Sequence, residues 1–446
     1  MLWWIYEFIF WVALLVASPY YLLRMKRRGG YAQDFMERFG VFARAKRERL
    51  RYLRPVWIHA VSVGEVDLAL QVIQKLLKMP TPPPMALSTT TSTGHALAAR
   101  KLPAEIPLFY YPLDSRFCFG KTHRLLCPQA FLLIEAELWP NHLHFCRGKN
   151  IPLLLINARF SNRCYPRYRK LRWFFDFCAF RRVTLQSGSD VESLLRLGFR
   201  RDSLTVVGNL KYDTAGSHAE RRARLLLDLT PFGHRPFWVA GSTHPGEEEI
   251  LLDIFRRLRQ RHPTLLLGLA PRHAERSARI AALLKRRGIS HVLRSKLGAS
   301  LEASPAEAVG NKGDETETEV LLLDTTGELK YLYERANLVF IGKSLTVHGG
   351  QNIIEPAACG KPVLFGPHME NFESIAADFL RANAAIQVQN ADELETQLQF
   401  LLEHPDACAA LGKNASEWVR SKRGGMERTV AAICQVLSEN LNNPAV

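Results

Sequence analysis

The sequence predicts an α/β protein made of two parallel-sheet halves behind a single apolar N-terminal segment. Three observations predict it. From Val56 onward, short apolar runs of strand length alternate with helical patterns. The alternation restarts at "PFWVAGST", after the polar connecting stretch "SHAERRARLLLDLTPFGHRP". Ahead of both, "LWWIYEFIFWVALLVASPYYLL", Leu2 to Leu23, has about the length that crosses a bilayer. A chain of 446 residues, 47% of them hydrophobic, holds enough apolar material for two cores.

The apolar segment is followed at once by "RMKRR". A cleaved secretory signal carries positive charge before its apolar run, so this order predicts a retained anchor over residues 1–25. The positive-inside rule then places everything after Arg24 in the cytoplasm. Trp3, Trp4, Tyr20 and Tyr21 fall near the segment ends, where interfacial aromatics belong. Glu7 is out of place, because a carboxylate in lipid is costly. Either it lies near the outer interface or the segment embeds only partly; a buried helix of a soluble protein is the alternative.

Next comes "KRRGGYAQDFMERFGVFARAKRERLRYLRP", which suits one or two helices against an anionic membrane surface or an ordinary solvated face. The whole chain carries 59 Lys and Arg against 43 Asp and Glu, a net charge of +16. Such an excess points to a polyanionic partner: nucleic acid, anionic lipid or a phosphorylated substrate. The eight cysteines are scattered without a Cys-x-x-Cys, which argues against a zinc ribbon or thioredoxin site and fits reduced thiols. The pair His142 and His144 in "NHLHF" is a weak metal signal.

In the first half, "PVWIHAV" reads as a strand and "GEVDLALQVIQKLLKM" as a helix. "MALSTTTSTGHALAARKL" reads as strand, turn and helix, and "AFLLIEAELWP", "IPLLLINARF" and "RRVTLQS" carry buried-strand cores. The half ends near "LTVVGNLKYD". The second half runs through "PFWVAGST", "TLLLGLAPRH", "SHVLRS", "VLLLDTTGEL", "NLVFIGKS" and "KPVLFGP". The acidic, small-residue-rich "GASLEASPAEAVGNKGDETETE" interrupts it as a surface loop. The resulting segments are an anchor (1–25), a first α/β domain (26–212), a linker (213–235), a second α/β domain (236–425) and a C-terminal helix (426–446).

In open parallel sheets, ligands bind beyond the carboxyl ends of the strands. The chemistry-bearing residues fall at those ends in both halves, which suggests one site between the domains. Glu65 stands past Gly64 where a helix opens. Glu135 and Glu137 end an apolar strand and need partners or a task. Lys211 in "GNLKYD" lies at the domain boundary, where an ammonium could meet developing negative charge; a plain salt bridge remains open for both. Pro271, Arg272 and His273 follow a strand, and an arginine there can grip a phosphate. The backbone of Gly327, Glu328 and Leu329 in "DTTGEL" could read a base edge or a phosphate. In "KSLTVHGGQNIIEPAACGKPVLFGP", Gly349 and Gly350 permit close backbone approach before a helix near Gln351, giving an anion site. Asn352 and Glu355 share one face of that helix, and Glu355 is placed to accept ribose hydroxyls. "GKS" at 342–344 is not a P-loop, since Asn337 stands where the upstream glycine would be.

In these motifs the chain resembles the 3-deoxy-D-manno-octulosonic acid (Kdo) transferases of lipopolysaccharide assembly. "HAVSVGEV", "LLIEAELWPN", "GNLKYD", "GSTHPGEEE", "APRH", "DTTGEL" and "GGQNIIEPA" occur in that family's order, behind an N-terminal anchor. The resemblance implies a GT-B fold, two Rossmann-like domains facing across a cleft, with no metal or other cofactor. It implies transfer of Kdo from CMP-Kdo to the lipid A precursor, with inversion, at anionic lipids of the inner membrane's cytoplasmic face, and no nucleic-acid partner. It makes Glu65 the proton acceptor and gives Glu135 and Lys211 transition-state roles. CMP-Kdo contacts fall on Pro271, Arg272, Gly327, Glu328, Leu329, Asn352, Ile353, Ile354 and Glu355. Two positions depart from the family pattern: Lys343, where a glycine is more usual, and Gln351, often a histidine. They bear on the donor-phosphate contacts and on no residue assigned to chemistry.

Two rival classes compete with this reading. A lipid A acyltransferase relies on a His-x4-Asp pair, and His59 and Asp67 are too far apart to form it. A non-enzymatic basic membrane or nucleic-acid binding protein would explain the charge but not the glycine-rich and acidic strand ends.

Overall fold

The computed structural model describes residues 2–28, 34–135, 138–158, 165–170, 172, 175, 177–213, 225, 229–297 and 318–442. Two compact units emerge: Met1–Thr214 with Arg423–Val446, and Ala215–Lys422.

The first unit holds seven parallel strands: β1 (Val56–Ala60), β2 (Met85–Thr89), β3 (Leu108–Tyr110), β4 (Ala130–Ile134), β5 (Leu153–Ala158), β6 (Phe180–Leu185) and β7 (Leu204–Val206). Their spatial order is β3-β2-β1-β4-β5-β6-β7. The chain winds outward from β1 in one direction and from β4 in the other, so the order reverses between these two strands. Alternate residues feed two cores. Trp57, Phe131, Leu133 and Leu155 pack on one face, and Ile58, Leu132, Ile134 and Leu154 on the other. Both faces are covered, which is why these strands read as unbroken apolar runs.

The C-terminal helix Gly425–Asn442 belongs to this unit as well. Met426, Ile433, Val436 and Leu437 join Val66 and Ile73 of the helix Val63–Leu77 in one core. Asp213 fixes its entry, accepting from the amides of Gly424 (2.8 Å) and Met426 (2.7 Å).

The second unit holds β8 (Phe237–Thr243), β9 (Leu266–Pro271), β10 (His291–Leu293), β11 (Val320–Leu322), β12 (Leu338–Ile341), β13 (Val363–Phe365) and β14 (Ile386–Gln387). These strands are parallel in the order β10-β11-β9-β8-β12-β13-β14, with the reversal between β8 and β12. Three glycines allow close packing at the carboxyl ends. A Cβ would collide with the Tyr333 hydroxyl at Gly241, with the Thr243 backbone at Gly342, and with the Ser344 carbonyl oxygen at Gly366. The expected acidic loop, 298–319, lies outside the described residues except for Thr318 and Glu319.

The N-terminal apolar segment is one helix, Leu2–Arg28, running through Pro19. Proline offers no amide to the Leu15 carbonyl, and the Ser18 hydroxyl donates to it instead at 2.7 Å. Glu7 is not bare. Its carboxylate accepts from Ser115 Oγ, the Arg116 amide (3.2 Å), Asn141 Nδ2 (2.8 Å) and Trp11 Nε1 (3.1 Å). The basic stretch that follows forms a 3₁₀ turn, Phe35–Phe39, and a helix, Arg44–Leu50. The turn is pinned by buried Glu37, which accepts from Lys46 and from the Tyr110 amide.

Candidate functional site

Glu65 is the third residue of the helix Val63–Leu77, which opens just past the carboxyl end of β1. Ser62 caps that helix, its hydroxyl accepting from the Glu65 amide at 3.4 Å. The Glu65 carboxylate reaches back to the Val61 amide at 2.9 Å and takes the Ser62 hydroxyl at 2.8 Å. This Ser-x-x-Glu pairing is a variant of the capping box, in which the carboxylate takes the amide before the cap, that of Val61. It fixes the carboxylate at the reversal between β1 and β4, on a half-buried residue. Gly64 plays no turn role: its φ is not in the left-handed region, and a Cβ there would meet nothing within 4 Å.

Glu135 follows β4, the neighbour of β1, and holds a left-handed backbone with φ 61°. Its amide donates to the Ile156 carbonyl at 2.8 Å. A non-glycine residue in that region carries strain, and such strain gathers at functional sites. Glu137 lies outside the described residues. Lys211 sits in the short 3₁₀ turn Leu210–Tyr212, its amide held by the Asn209 side chain at 3.0 Å. Asn157, near the end of β5 and also left-handed (φ 58°), was not singled out from sequence. It is fully buried, and its side-chain nitrogen and oxygen have no partner among the described residues. It lies one residue past the carbonyl that holds Glu135.

In the second unit the basic and polar groups gather around β8, β9 and β12. Pro271 ends β9, and the Arg272 amide donates to the Thr243 carbonyl at 3.0 Å, leaving its side chain exposed. The rings of His244 and His273 stack 6.2 Å apart. Burial, with help from Lys343 and Arg276, holds the His244 imidazole below its ordinary pKa. Glu247 and Glu248 of "GSTHPGEEE" are buried and build this end of the sheet. Glu247 accepts from the amides of His244 (2.9 Å), Lys343 (2.8 Å), Ser344 (3.0 Å) and Leu345 (3.1 Å). Glu248 takes Arg276 through two bonds of 2.8 and 3.0 Å, and the Thr243 hydroxyl at 2.9 Å.

The glycine pair differs from expectation. Gly349 and Gly350 have φ of 124° and 66°, as close backbone turns require. Their amides are taken internally, however, by Glu370 at 2.6 Å and by the Lys343 carbonyl at 2.7 Å. The helix opens at Ile354 rather than near Gln351, because the Asn352 side chain caps the Ile354 amide at 3.0 Å. Asn352 also donates to Glu355 at 3.1 Å, so the two do share a face. Ile353 and Ile354 are buried, leaving only backbone for a ligand. Gly327 is exposed with φ 86°, while the Glu328 carboxylate is turned inward to Thr325 and Arg294. Among the described residues, one group could hold a metal ion: His348, His368 and Glu370, with ligand atoms within 4.8 Å of one another. A cavity of about 120 Å³ lies elsewhere, at the opposite ends of β8 and β9, lined by Phe237, Leu266 and Arg335.

Two doubly wound parallel sheets with polar groups at each switch point are the fold of the GT-B glycosyltransferases. Residues 33–214 match the family described as 3-deoxy-D-manno-octulosonic-acid transferase (kdotransferase), and residues 302–418 match glycosyl transferases group 1. A 3-deoxy-D-manno-octulosonic acid transferase of Haemophilus influenzae is 31% identical over 444 residues, spanning 98% of this chain and 100% of that one. Another, from Bordetella pertussis, is 32% identical over 452 residues, spanning 95% and 98%. The UDP-GlcNAc 2-epimerase of Neisseria meningitidis bound to UDP-GlcNAc shares the fold, with a TM-score of 0.58 at 14% identity over 85% of this chain and 100% of that one. The chain belongs to the 3-deoxy-D-manno-octulosonic acid (Kdo) transferase family.

Proposed function

We propose that the protein is an inverting glycosyltransferase that moves Kdo from CMP-Kdo to the lipid A precursor. The observation that carries the reading is Glu65, held by its capping box at the switch point of the first sheet. The acceptor hydroxyl attacks the anomeric carbon of Kdo, and Glu65 takes the hydroxyl proton as the new bond forms. The bond from Kdo to the CMP phosphate breaks, its electron pair leaving with CMP. Glu135 and Lys211, also in the first unit, act on the charge that develops in this transition state.

The donor falls to the second unit. Arg272 meets its anionic phosphate or carboxylate, Glu355 accepts from ribose hydroxyls, and the backbone of Gly327 to Leu329 and of Ile353 and Ile354 meets the rest. With the Gly349 and Gly350 amides occupied, phosphate binding rests on the side chains of Arg272 and its basic neighbours, Lys343 among them. Metal plays no part in this reading. The rival acyl-transfer reading finds no support in His59. That residue is 1% exposed within β1, and burial holds its imidazole down at about 3.

The Leu2–Arg28 helix, outward-facing and apolar, supports a place on the cytoplasmic face of the inner membrane, beside a lipid acceptor. Two measurements test the reading. Purified protein supplied with CMP-Kdo and a tetra-acylated bisphosphorylated disaccharide should yield a lipid heavier by Kdo residues in mass spectrometry; no Kdo-bearing product refutes the function. Removing the residues before Lys26 should release the protein from membranes while CMP binding persists. Complete sedimentation of the truncated protein with membranes in high salt would overturn the anchor.

A further inference from the structure

The N-terminal helix has two unlike faces. One carries Trp3, Tyr6, Glu7, Phe10 and Trp11, partly covered. The other carries Trp4 (68% exposed), Phe8 (70%), Leu15 (74%), Val16 (76%) and Leu23 (59%), with Ile5, Ile9, Val12 and Tyr20 between them. These positions recur at helical spacing, so they form one continuous stripe without a charge. From Trp4 to Leu23 the stripe is roughly 29 Å long at 1.5 Å per residue.

The covered face is tied to the folded first unit by specific polar bonds. The Tyr6 hydroxyl donates to Asp114 at 2.8 Å, and Asp114 is 2% exposed. Asp114 also accepts from the amides of Asn141 (3.1 Å) and His142 (2.9 Å), the first turn of the helix Pro140–Gly148. Glu7 sits at the start of a second helix, Arg116–Leu126, bonded to its capping Ser115 and to the Arg116 amide. Two acids thus meet two helix N-termini, where negative charge is favoured. Trp3 stacks on His144 at 4.1 Å, and the Arg116 guanidinium lies 5.3 Å over the Trp4 ring.

A helix that crossed the bilayer would put its N-terminal end about 30 Å from its basic end, on the far side of the hydrocarbon. Tyr6 and Glu7 are instead bonded to Asp114, Ser115 and Asn141 of the folded unit. A folded unit with exposed polar loops does not enter hydrocarbon. We infer that the Leu2–Arg28 helix does not cross the membrane but lies flat in one leaflet, latched to the first unit through Tyr6 and Glu7 and presenting its Trp4–Leu23 stripe to an anionic lipid surface. The inference rests on the membrane reading above and fixes its geometry. The basic residues at 24–28 and the excess of cations over the chain supply the charge complement to such a surface. Glu7, awkward for a crossing helix, then never meets lipid: its partners are on the protein side.

The experiment uses the full chain with single added cysteines on the outward stripe. Trp4→Cys is treated with a membrane-impermeant maleimide in intact spheroplasts and again after detergent lysis. The expected result is no label above the parent chain in spheroplasts and one added label after lysis. Labelling of the Trp4→Cys chain from outside overturns the proposal while leaving membrane attachment standing. In parallel, Ile5→Cys, Val12→Cys and Leu23→Cys carry an environment-sensitive fluorophore in phosphatidylethanolamine–phosphatidylglycerol vesicles, read with depth-graded lipid quenchers. Equal, shallow depths at all three positions are expected. Quenching deepest at position 12 with shallow ends means a crossing helix and refutes it. Protein that stays off the vesicles and self-associates through the stripe overturns both this geometry and the anchor, which separates the two failures.

Discussion

Replacing Glu65 by Gln separates chemistry from structure at one atom. In the capping box the carboxylate accepts from the Val61 amide at 2.9 Å and from the Ser62 hydroxyl at 2.8 Å. Glutamine serves in such a box as well as glutamate does, since its carbonyl oxygen can take the Val61 amide and its NH₂ can donate to Ser62 Oγ. The helix start should therefore hold, at a stability change of a few tenths of a kcal/mol, against about 0.5–2 kcal/mol for losing a cap outright. The amide cannot accept a proton. General-base catalysis contributes about 10²–10⁴-fold, or about 2.7–5.4 kcal/mol of barrier. Turnover of CMP-Kdo at saturating acceptor should fall at least about a hundredfold. CMP affinity by calorimetry and the thermal midpoint should stay near wild type. Near-normal turnover in Glu65→Gln refutes the assignment. A turnover loss that tracks the fraction of unfolded protein would reduce Glu65 to its capping role. Glu65→Ala, which removes cap and base together, should lose both stability and turnover.

Three further outcomes follow from the structure. Arg272→Ala removes an exposed guanidinium whose charge-assisted bond is worth about 1.5–3 kcal/mol, so CMP affinity by calorimetry should drop about tenfold or more. Glu247→Gln replaces one acceptor oxygen by a donor against four backbone amides, so the Lys343–Leu345 loop should loosen and both the urea midpoint and CMP affinity should fall. Asp114 is held up at about 6 from 3.8, chiefly by burial. The folded state therefore keeps a proton that the unfolded chain has lost, and stability declines as pH rises from about 4 to about 6, by roughly 3 kcal/mol for this group. Urea unfolding should show wild type ahead of Asp114→Asn by more at pH 4.5 than at pH 7; a difference independent of pH would refute it.

Strands with a run of apolar residues, such as "VWIHA" and "AFLLI", were legible because burial on both faces leaves an unmistakable signature. β14 was not, since two residues carry no periodicity, and β3 was not read either. The strand-end acids were legible as positions but not as environments. Glu65 reads as an acid after a glycine, and its partners lie within four residues, so the capping box could have been found in "SVGE". The burial of Glu247 and Glu248 in "HPGEEE" leaves no local signal, because three of the amides that hold Glu247 lie 96 to 98 residues downstream. Glu7 failed for the same reason: its partners, Ser115 and Asn141, are 108 and 134 residues away. The glycines at 349 and 350 were correctly read as turn positions, but only the structure reveals that their amides already have partners.

The return of the Gly425–Asn442 helix to the first unit has a consequence for how the protein is made. The second unit is one uninterrupted stretch, and its strands can pair as soon as they leave the ribosome. The first unit, though synthesised earlier, lacks one wall of its core until Gly425–Asn442 emerges. During that interval Val66, Ile73 and their neighbours face water. Maturation therefore runs against the order of translation: the later-made unit closes first, and the earlier-made one waits for the helix Gly425–Asn442. A chain cut short at Lys422 would leave the ribosome with that wall missing for good, a ready target for chaperones and proteases.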